Sequence, residues 1–133
     1  MFKQPDKSPW GAVCDCDTLC PGVYMITTTD NGGILVSKDI AAFLSPNARR
    51  HGVRAGGYYC YETDTEEVIV LRELLDKKLW GIPGWIDDKA AFEEHINNSL
   101  RQHQPDYWRY WETGRYSEDA RHMPANEAAR YAR

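Results

Sequence analysis

Pro21-Gly22-Val23-Tyr24-Met25-Ile26-Thr27-Thr28-Thr29-Asp30-Asn31-Gly32-Gly33-Ile34-Leu35-Val36-Ser37 is the stretch that decides the fold. β-Branched and aromatic residues crowd positions 22–28, and such residues suit a pleated, half-buried surface. Side chains alternate along a strand, so Val23, Met25 and Thr27 face one way while Tyr24, Ile26 and Thr28 face the other. Asp30-Asn31-Gly32-Gly33 reads as a hairpin turn, because Asn and Gly adopt positive φ at little cost. Ile34-Leu35-Val36 then returns, so 22–28 pairs antiparallel with 33–37.

Working outward, Ser37 is a suitable N-cap for a short helix over 38–44, with Asp39 favourable in its first turn. Ser45-Pro46 opens a second helical turn through His51, and Gly52 stands where a C′ glycine belongs. Gly56-Gly57 is a turn, and Tyr58-Tyr59-Cys60-Tyr61 starts a third strand over 58–62. Val68-Ile69-Val70-Leu71-Arg72-Glu73-Leu74-Leu75 supports two readings. Its β-branched run favours a strand, and the spacing of Val68, Leu71, Leu75 and Leu79 favours a helix. Asp64 and Glu67 fit a capping box, and Arg72, Glu73, Asp76 and Lys77 share one side, so the helix over 65–78 is preferred. Trp80-Gly81-Ile82-Pro83-Gly84-Trp85 is a rigid apolar loop. Asp87 caps a helix over 88–102 with Phe92, Ile96 and Leu100 one turn apart. Pro105 at N1 opens a last short helix.

These elements make an α+β protein, a small antiparallel sheet of about three strands packed by about two to four helices. Helices 65–78 and 88–102 cover one face, and an antiparallel sheet of this kind can leave its other face wet. The 133 residues suit one domain. It divides into a flexible, polar lead-in over 1–9, an ordered body over 10–113 with Trp10 as an anchor, and a polar tail or terminal helix over 114–133.

Twenty acidic and 16 basic side chains give a net charge of −4. Nucleic-acid binding needs a clustered basic surface, so direct binding is not expected. The start of the chain lacks the apolar core of a secretory signal, and no apolar run approaches the ~20 residues of a membrane span. The expectation is a cytoplasmic protein without membrane association, whose cysteines are reduced thiols or metal ligands.

Cys14, Cys16, Cys20 and Cys60 are the four candidate ligands of a tetrahedral zinc site. Only Cys16 and Cys20 approach the usual paired spacing, and the plain alternative is small core residues with some free thiols. A thiol enzyme needs a Cys–His pair with an orienting group, which spacing does not supply for His51, His95, His103 or His122. Neither glycine pair fits a phosphate loop, and both read as turns. Glu62, Asp64, Glu66 and Glu67 form an acidic run, able either to meet a basic partner or to stabilise a helix start. Asp87-Asp88 with Glu93-Glu94 allows the same two readings. Arg49, Arg50, His51 and Arg54 form a small basic group of the kind usually solvated. Tyr107-Trp108-Arg109-Tyr110-Trp111 is the densest aromatic segment. Its ring types are those enriched at binding hot spots, and equally those that anchor small cores.

The stretches Ser8-Pro9-Trp10-Gly11, Pro21-Gly22-Val23-Tyr24, Thr27-Thr28, Gly32-Gly33-Ile34-Leu35-Val36-Ser37 and Tyr58-Tyr59-Cys60-Tyr61-Glu62-Thr63-Asp64 resemble a family of small uncharacterised domains carried by bacterial phages, plasmids and integrative elements. The resemblance covers roughly residues 8–80 and is a pattern of turns and core positions. Members often carry His before the glycine pair, where this chain has Asn31. The resemblance implies an accessory gene of a mobile element, and hence an anti-CRISPR-like inhibitor of a bacterial defence complex. The function expected is therefore non-catalytic binding of a protein partner, without cofactor. Tyr107, Trp108, Tyr110 and Trp111 would form the contact, and Glu62, Asp64, Glu66 and Glu67 would steer a basic, nucleic-acid-handling partner. The alternative is a small zinc module or enzyme built on Cys14, Cys16, Cys20 and Cys60.

Overall fold

The computed structural model describes the backbone of residues 4–121 and the side chains of residues 4–113. Among these the chain order is β1 (Lys7–Ser8), β2 (Gly11–Ala12), β3 (Asp15–Cys20), β4 (Val23–Thr27), β5 (Gly32–Ser37), α1 (Lys38–Ala41), α2 (Pro46–His51), β6 (Val53–Ala55), β7 (Tyr58–Glu62), α3 (Glu67–Asp76), α4 (Lys89–His103) and α5 (Pro105–Arg121). The class is α+β, as expected, but the sheet is larger than three strands. Five antiparallel strands run in the order β3-β4-β5-β7-β6, and β1 pairs with β2 in a separate two-stranded ribbon. Five helices stand where about two to four were expected.

The β4–β5 hairpin is the centre of the sheet, with Val23 opposite Val36 and Met25 opposite Ile34. Its turn differs from expectation. Thr28 and Asn31 close it, the Thr28 N–H donating to the Asn31 carbonyl and the Asn31 N–H to Thr28 Oγ1. Gly32 and Gly33 belong to β5 and pair with Thr27 and Ile26. Gly56 and Gly57, with φ of 58° and 84°, do form the β6–β7 turn.

The alternation puts Val23, Ile34, Val36 and Tyr61 on one face, buried against α3, Ile96 and Leu100 of α4, and Tyr107 of α5. Burying each such side chain stabilises the fold by about 1.5–3 kcal/mol. α3 lies innermost among the helices, with every residue from Val68 to Leu74 buried. A helix covered on all sides carries apolar residues all round, which explains why Val68–Leu71 also satisfies a strand pattern. Its polar side is covered as well: Arg72 and Glu73 are buried. The capping box is half formed. Glu67 accepts from the Asp64 N–H, whereas Asp64 adopts a φ of 70° and Glu66 occupies the N-cap with no side-chain bond to the helix's own first N–H groups. α4 is capped by Asp88 rather than Asp87, its Oδ1 accepting from the Ala91 N–H at 2.9 Å.

The second sheet face is covered, not wet. Tyr24, Ile26, Leu35 and Cys60 form a smaller cluster there, packed by Trp10, Val13, Cys16 and Tyr58. The segment expected to be a flexible lead-in therefore contributes β1 at Lys7–Ser8, and the ribbon it makes flanks Trp10. At the other end, α5 is longer than the short helix expected and continues through 114–121. Residues 1–3 of the lead-in and 122–133 of the tail lie outside the described residues.

Trp10 explains why position 33 is glycine. A Cβ on Gly33 would stand 2.6 Å from the indole of Trp10 and 2.2 Å from the carbonyl oxygen of Tyr61. Neither atom belongs to a flexible chain end, so Gly33→Ala forces the backbone or the Trp10 ring to move. The expected loss is about 1–3 kcal/mol, the usual cost of overpacking. Urea denaturation checks it: the midpoint falls with unchanged m, and in a double-mutant cycle Gly33→Ala costs less in a Trp10→Ala background than in the parent because one clashing partner is gone. A Gly33→Ala protein as stable as the parent would contradict this packing.

Candidate functional site

The four thiols do not converge. Cys16 and Cys60 share the Trp10 face, but β4 and β5 stand between their strands, a separation of about 14 Å at the usual inter-strand spacing. Cys20 follows a register shift between Thr18 and Cys20 that turns it to the opposite, helix-covered face. Cys14 is exposed. Burial pushes the thiols of Cys16 and Cys20 up and that of Cys60 up to about 11, the direction of inert structural cysteines. Among the described residues no group of three or more His, Cys, Asp or Glu is placed to hold a metal ion. The alternative of a Cys14/Cys16/Cys20/Cys60 zinc centre is thus corrected: an edge strand with a bulge and the distant Cys60 spread its ligands apart.

The aromatic segment divides in the same way. Tyr107 is 1% exposed and cannot touch a partner. Its hydroxyl donates to Glu73 Oε2 at 2.5 Å, and Glu73 also accepts from the Ser45 N–H and hydroxyl at 2.8 and 2.9 Å. Burial and then the Glu73 charge raise the Tyr107 phenol far above its ordinary range. Trp108 and Trp111 stack on each other with centroids 4.8 Å apart and pack partly against the core. Arg101 covers Trp108, and Arg72 covers Trp111. Only Tyr110, at 61%, is widely exposed, with Arg50 against its ring. As a contact surface this segment is corrected to one exposed ring and three that knit α5 to the body.

The acidic run fares differently. Glu62 and Asp64 are exposed, while Glu66 and Glu67 are half-buried. Glu66 accepts from the Glu62 N–H at 3.0 Å, so it closes the turn between β7 and α3. Asp64 and Glu67 line a cleft of about 640 Å³. Asp17 of β3 joins them from the sheet edge, and Trp80, Trp85, Phe92 and Ile86 wall it, with His95 and Ser99 of α4 also on the lining. Trp80 and Phe92 hold their rings 6.5 Å apart and tilted by 55°. Trp85 is 81% exposed, an unusual position for so large an apolar ring. Burial raises the Glu67 carboxyl above its ordinary range, offset in part by hydrogen bonds from Asp64 and Thr63.

The 80–85 loop, expected only to be rigid and apolar, shares the lining of this cleft with Asp64 and Glu67. The signal was present in Trp80 and Trp85, two large rings in a Gly- and Pro-rich loop with no helical or strand period to bury them. Concave, largely apolar clefts with a few convergent polar groups are where small folds bind.

The fold is that of a small α+β protein, and its surface carries an acidic, aromatic-walled cleft. The chain belongs to the family described as a domain of unknown function (DUF7007), which matches residues 3–133. No curated protein and no solved structure matches it. No helix among the described residues is long and apolar enough to cross a membrane.

Proposed function

We propose that this protein is a non-catalytic binding protein that grips a protein partner through the cleft between the 80–86 loop, α3 and α4. The observation that carries the reading is the convergence of Asp17, Asp64 and Glu67 with Trp80, Trp85 and Phe92 on one concave surface. Rings supply desolvated contact area at low rotamer cost, and carboxylates steer a partner of opposite charge. The partner is accordingly basic where it docks. The resemblance to domains of phages, plasmids and integrative elements supplies the setting: an accessory factor in the bacterial cytoplasm. Its partner there is a nucleic-acid-handling defence complex, basic where it holds phosphate, and the role is anti-CRISPR-like.

A bacterial strain with an active CRISPR system, expressing either this protein or its Trp85→Ala variant, tests the reading by phage plating. Trp85 is mostly exposed, so its truncation leaves the fold intact while removing the cleft's outermost ring. The parent is expected to relieve restriction, and the variant to lose at least about tenfold of that relief, the effect of one truncated hot-spot residue. Unrelieved restriction would overturn the defence role. Relief undiminished in the folded variant would overturn the cleft as the docking site.

A further inference from the structure

Twice within its own fold, once buried and once at the surface, this chain seats a guanidinium between an indole and a carboxylate. Arg72 lies 4.9 Å from the Trp111 ring and pairs with Asp76 and Glu93. Arg101 lies 4.7 Å from the Trp108 ring and pairs with Glu94. The cleft presents the same parts a third time. Trp80, Trp85 and Phe92 are its rings, and Asp17, Asp64 and Glu67 are its carboxylates, drawn from β3, the β7–α3 turn and α3. No Lys or Arg lines it among the described residues.

Resting on the binding role proposed above, we infer that the cleft is a receptor for a single arginine side chain of the partner, its guanidinium stacked between the aromatic walls and held by the carboxylates. A cation is attracted to the face of an indole, and the more so in a desolvated recess. Arginine fits better than lysine for three reasons. Its plane stacks on flat rings, its fork reaches two carboxylate oxygens at once, and it gives up hydration more readily than a compact ammonium. A volume of about 640 Å³ accommodates the side chain together with part of its backbone. Of the three carboxylates only Glu67 is half-buried, and burial works against its charge. Pairing with an incoming cation relieves that penalty, so the charge is stabilised most when the cleft is occupied.

The test uses the full chain with 15N-labelled indoles and three capped tripeptides, Gly-Arg-Gly, Gly-Lys-Gly and Gly-citrulline-Gly. Citrulline has nearly the shape of arginine without its charge. Saturable shifts at the Trp80 and Trp85 indole N–H signals are expected with the arginine peptide, which should bind about tenfold more tightly than the citrulline peptide. The lysine peptide should fall between them. Glu67→Gln keeps an acceptor for the Asp64 N–H and so keeps the fold, but should erase most of the arginine preference. Asp39→Asn, on α1 away from the cleft, removes one negative charge as well and should leave the preference unchanged. Equal binding of arginine and citrulline peptides would overturn the inference, as would saturable shifts confined to other tryptophans or none at all. Those outcomes are distinct from failure of the binding role itself. If Trp85→Ala abolishes relief of restriction while the peptides show no charge preference, the cleft docks a partner by its apolar walls and only the arginine assignment falls.

Discussion

Tyr107→Ala is expected to lower stability by about 3–5 kcal/mol, a large fraction of what holds a domain of this size folded. The ring is a fully buried part of the main core and lies edge-on to His51 at 6.1 Å. Its removal opens a cavity among α2, α3 and α5. The hydroxyl adds a second loss, since Glu73 at 5% exposure depends on three donors and would keep two. Tyr107→Phe isolates that part. It preserves the ring and removes one hydrogen bond to a buried carboxylate, an expected cost of about 1.5–3 kcal/mol. Chemical denaturation of the two variants against the parent checks both values. If Tyr107→Ala stayed within about 1 kcal/mol of the parent, Tyr107 would not be core and the segment 107–111 would return as a contact surface.

The contrast between this segment and the cleft shows where sequence reading reaches its limit. Strand β4 and its return were legible because their signals are local: alternation along Val23–Thr27, and a short polar turn between two apolar runs. α3 was legible from its spacing although its cap was not, because a capping box assumes that the first residue stays extended and Asp64 instead turns left-handed. β3 was missed for a different reason. Cys14-Asp15-Cys16-Asp17 has the chemistry of ligands and the polarity of a loop, yet the open edge of a sheet tolerates charged residues and uses them against edge-to-edge pairing. The faces of Cys16 and Cys20 were set by a bulge, which no composition reveals.

Trp10 and Gly33 illustrate the non-local part. In the sequence they are an aromatic next to the expected lead-in and a glycine in an expected turn. Trp10 was legible as an anchor, but only the approach of its indole to the strand shows what it packs against and why position 33 is glycine. The cleft is non-local in the same sense. Asp17, Asp64 and Trp85 come from an edge strand, a turn and a loop far apart in the sequence, yet they line one cleft. The acidic run was legible as a chemical feature, but its aromatic companions were sought at 107–111. There the rings already have arginines of the chain's own against them.

Arg72→Leu is expected to cost about 3 kcal/mol, seen as a fall in Tm of about 10 °C for a domain of this size. Arg72 is 2% exposed on α3 and binds all the neighbouring helices that matter to its charge. Its Nη1 donates to Asn97 Oδ1 at 2.8 Å, and its Nη2 to Asp76 Oδ1 at 3.1 Å and to Glu93 Oε2 at 2.6 Å. Asn97 and Glu93 belong to α4, and the Trp111 ring that covers the guanidinium belongs to α5. One side chain thus fastens three helices. Removing it takes the guanidinium away from Asp76, whose Oδ2 still accepts from the Trp111 indole N–H. Glu93 is 45% exposed and can turn to water, which keeps the cost below the upper range for a broken buried pair. Arg72→Lys separates charge from geometry. An ammonium keeps the sign but cannot reach two helices and stack on an indole together, so it should recover less than half of the loss. Restoration of the parent Tm by lysine would show that charge alone suffices here. The indole–guanidinium arrangement would then lose its value as an internal precedent for arginine in the cleft.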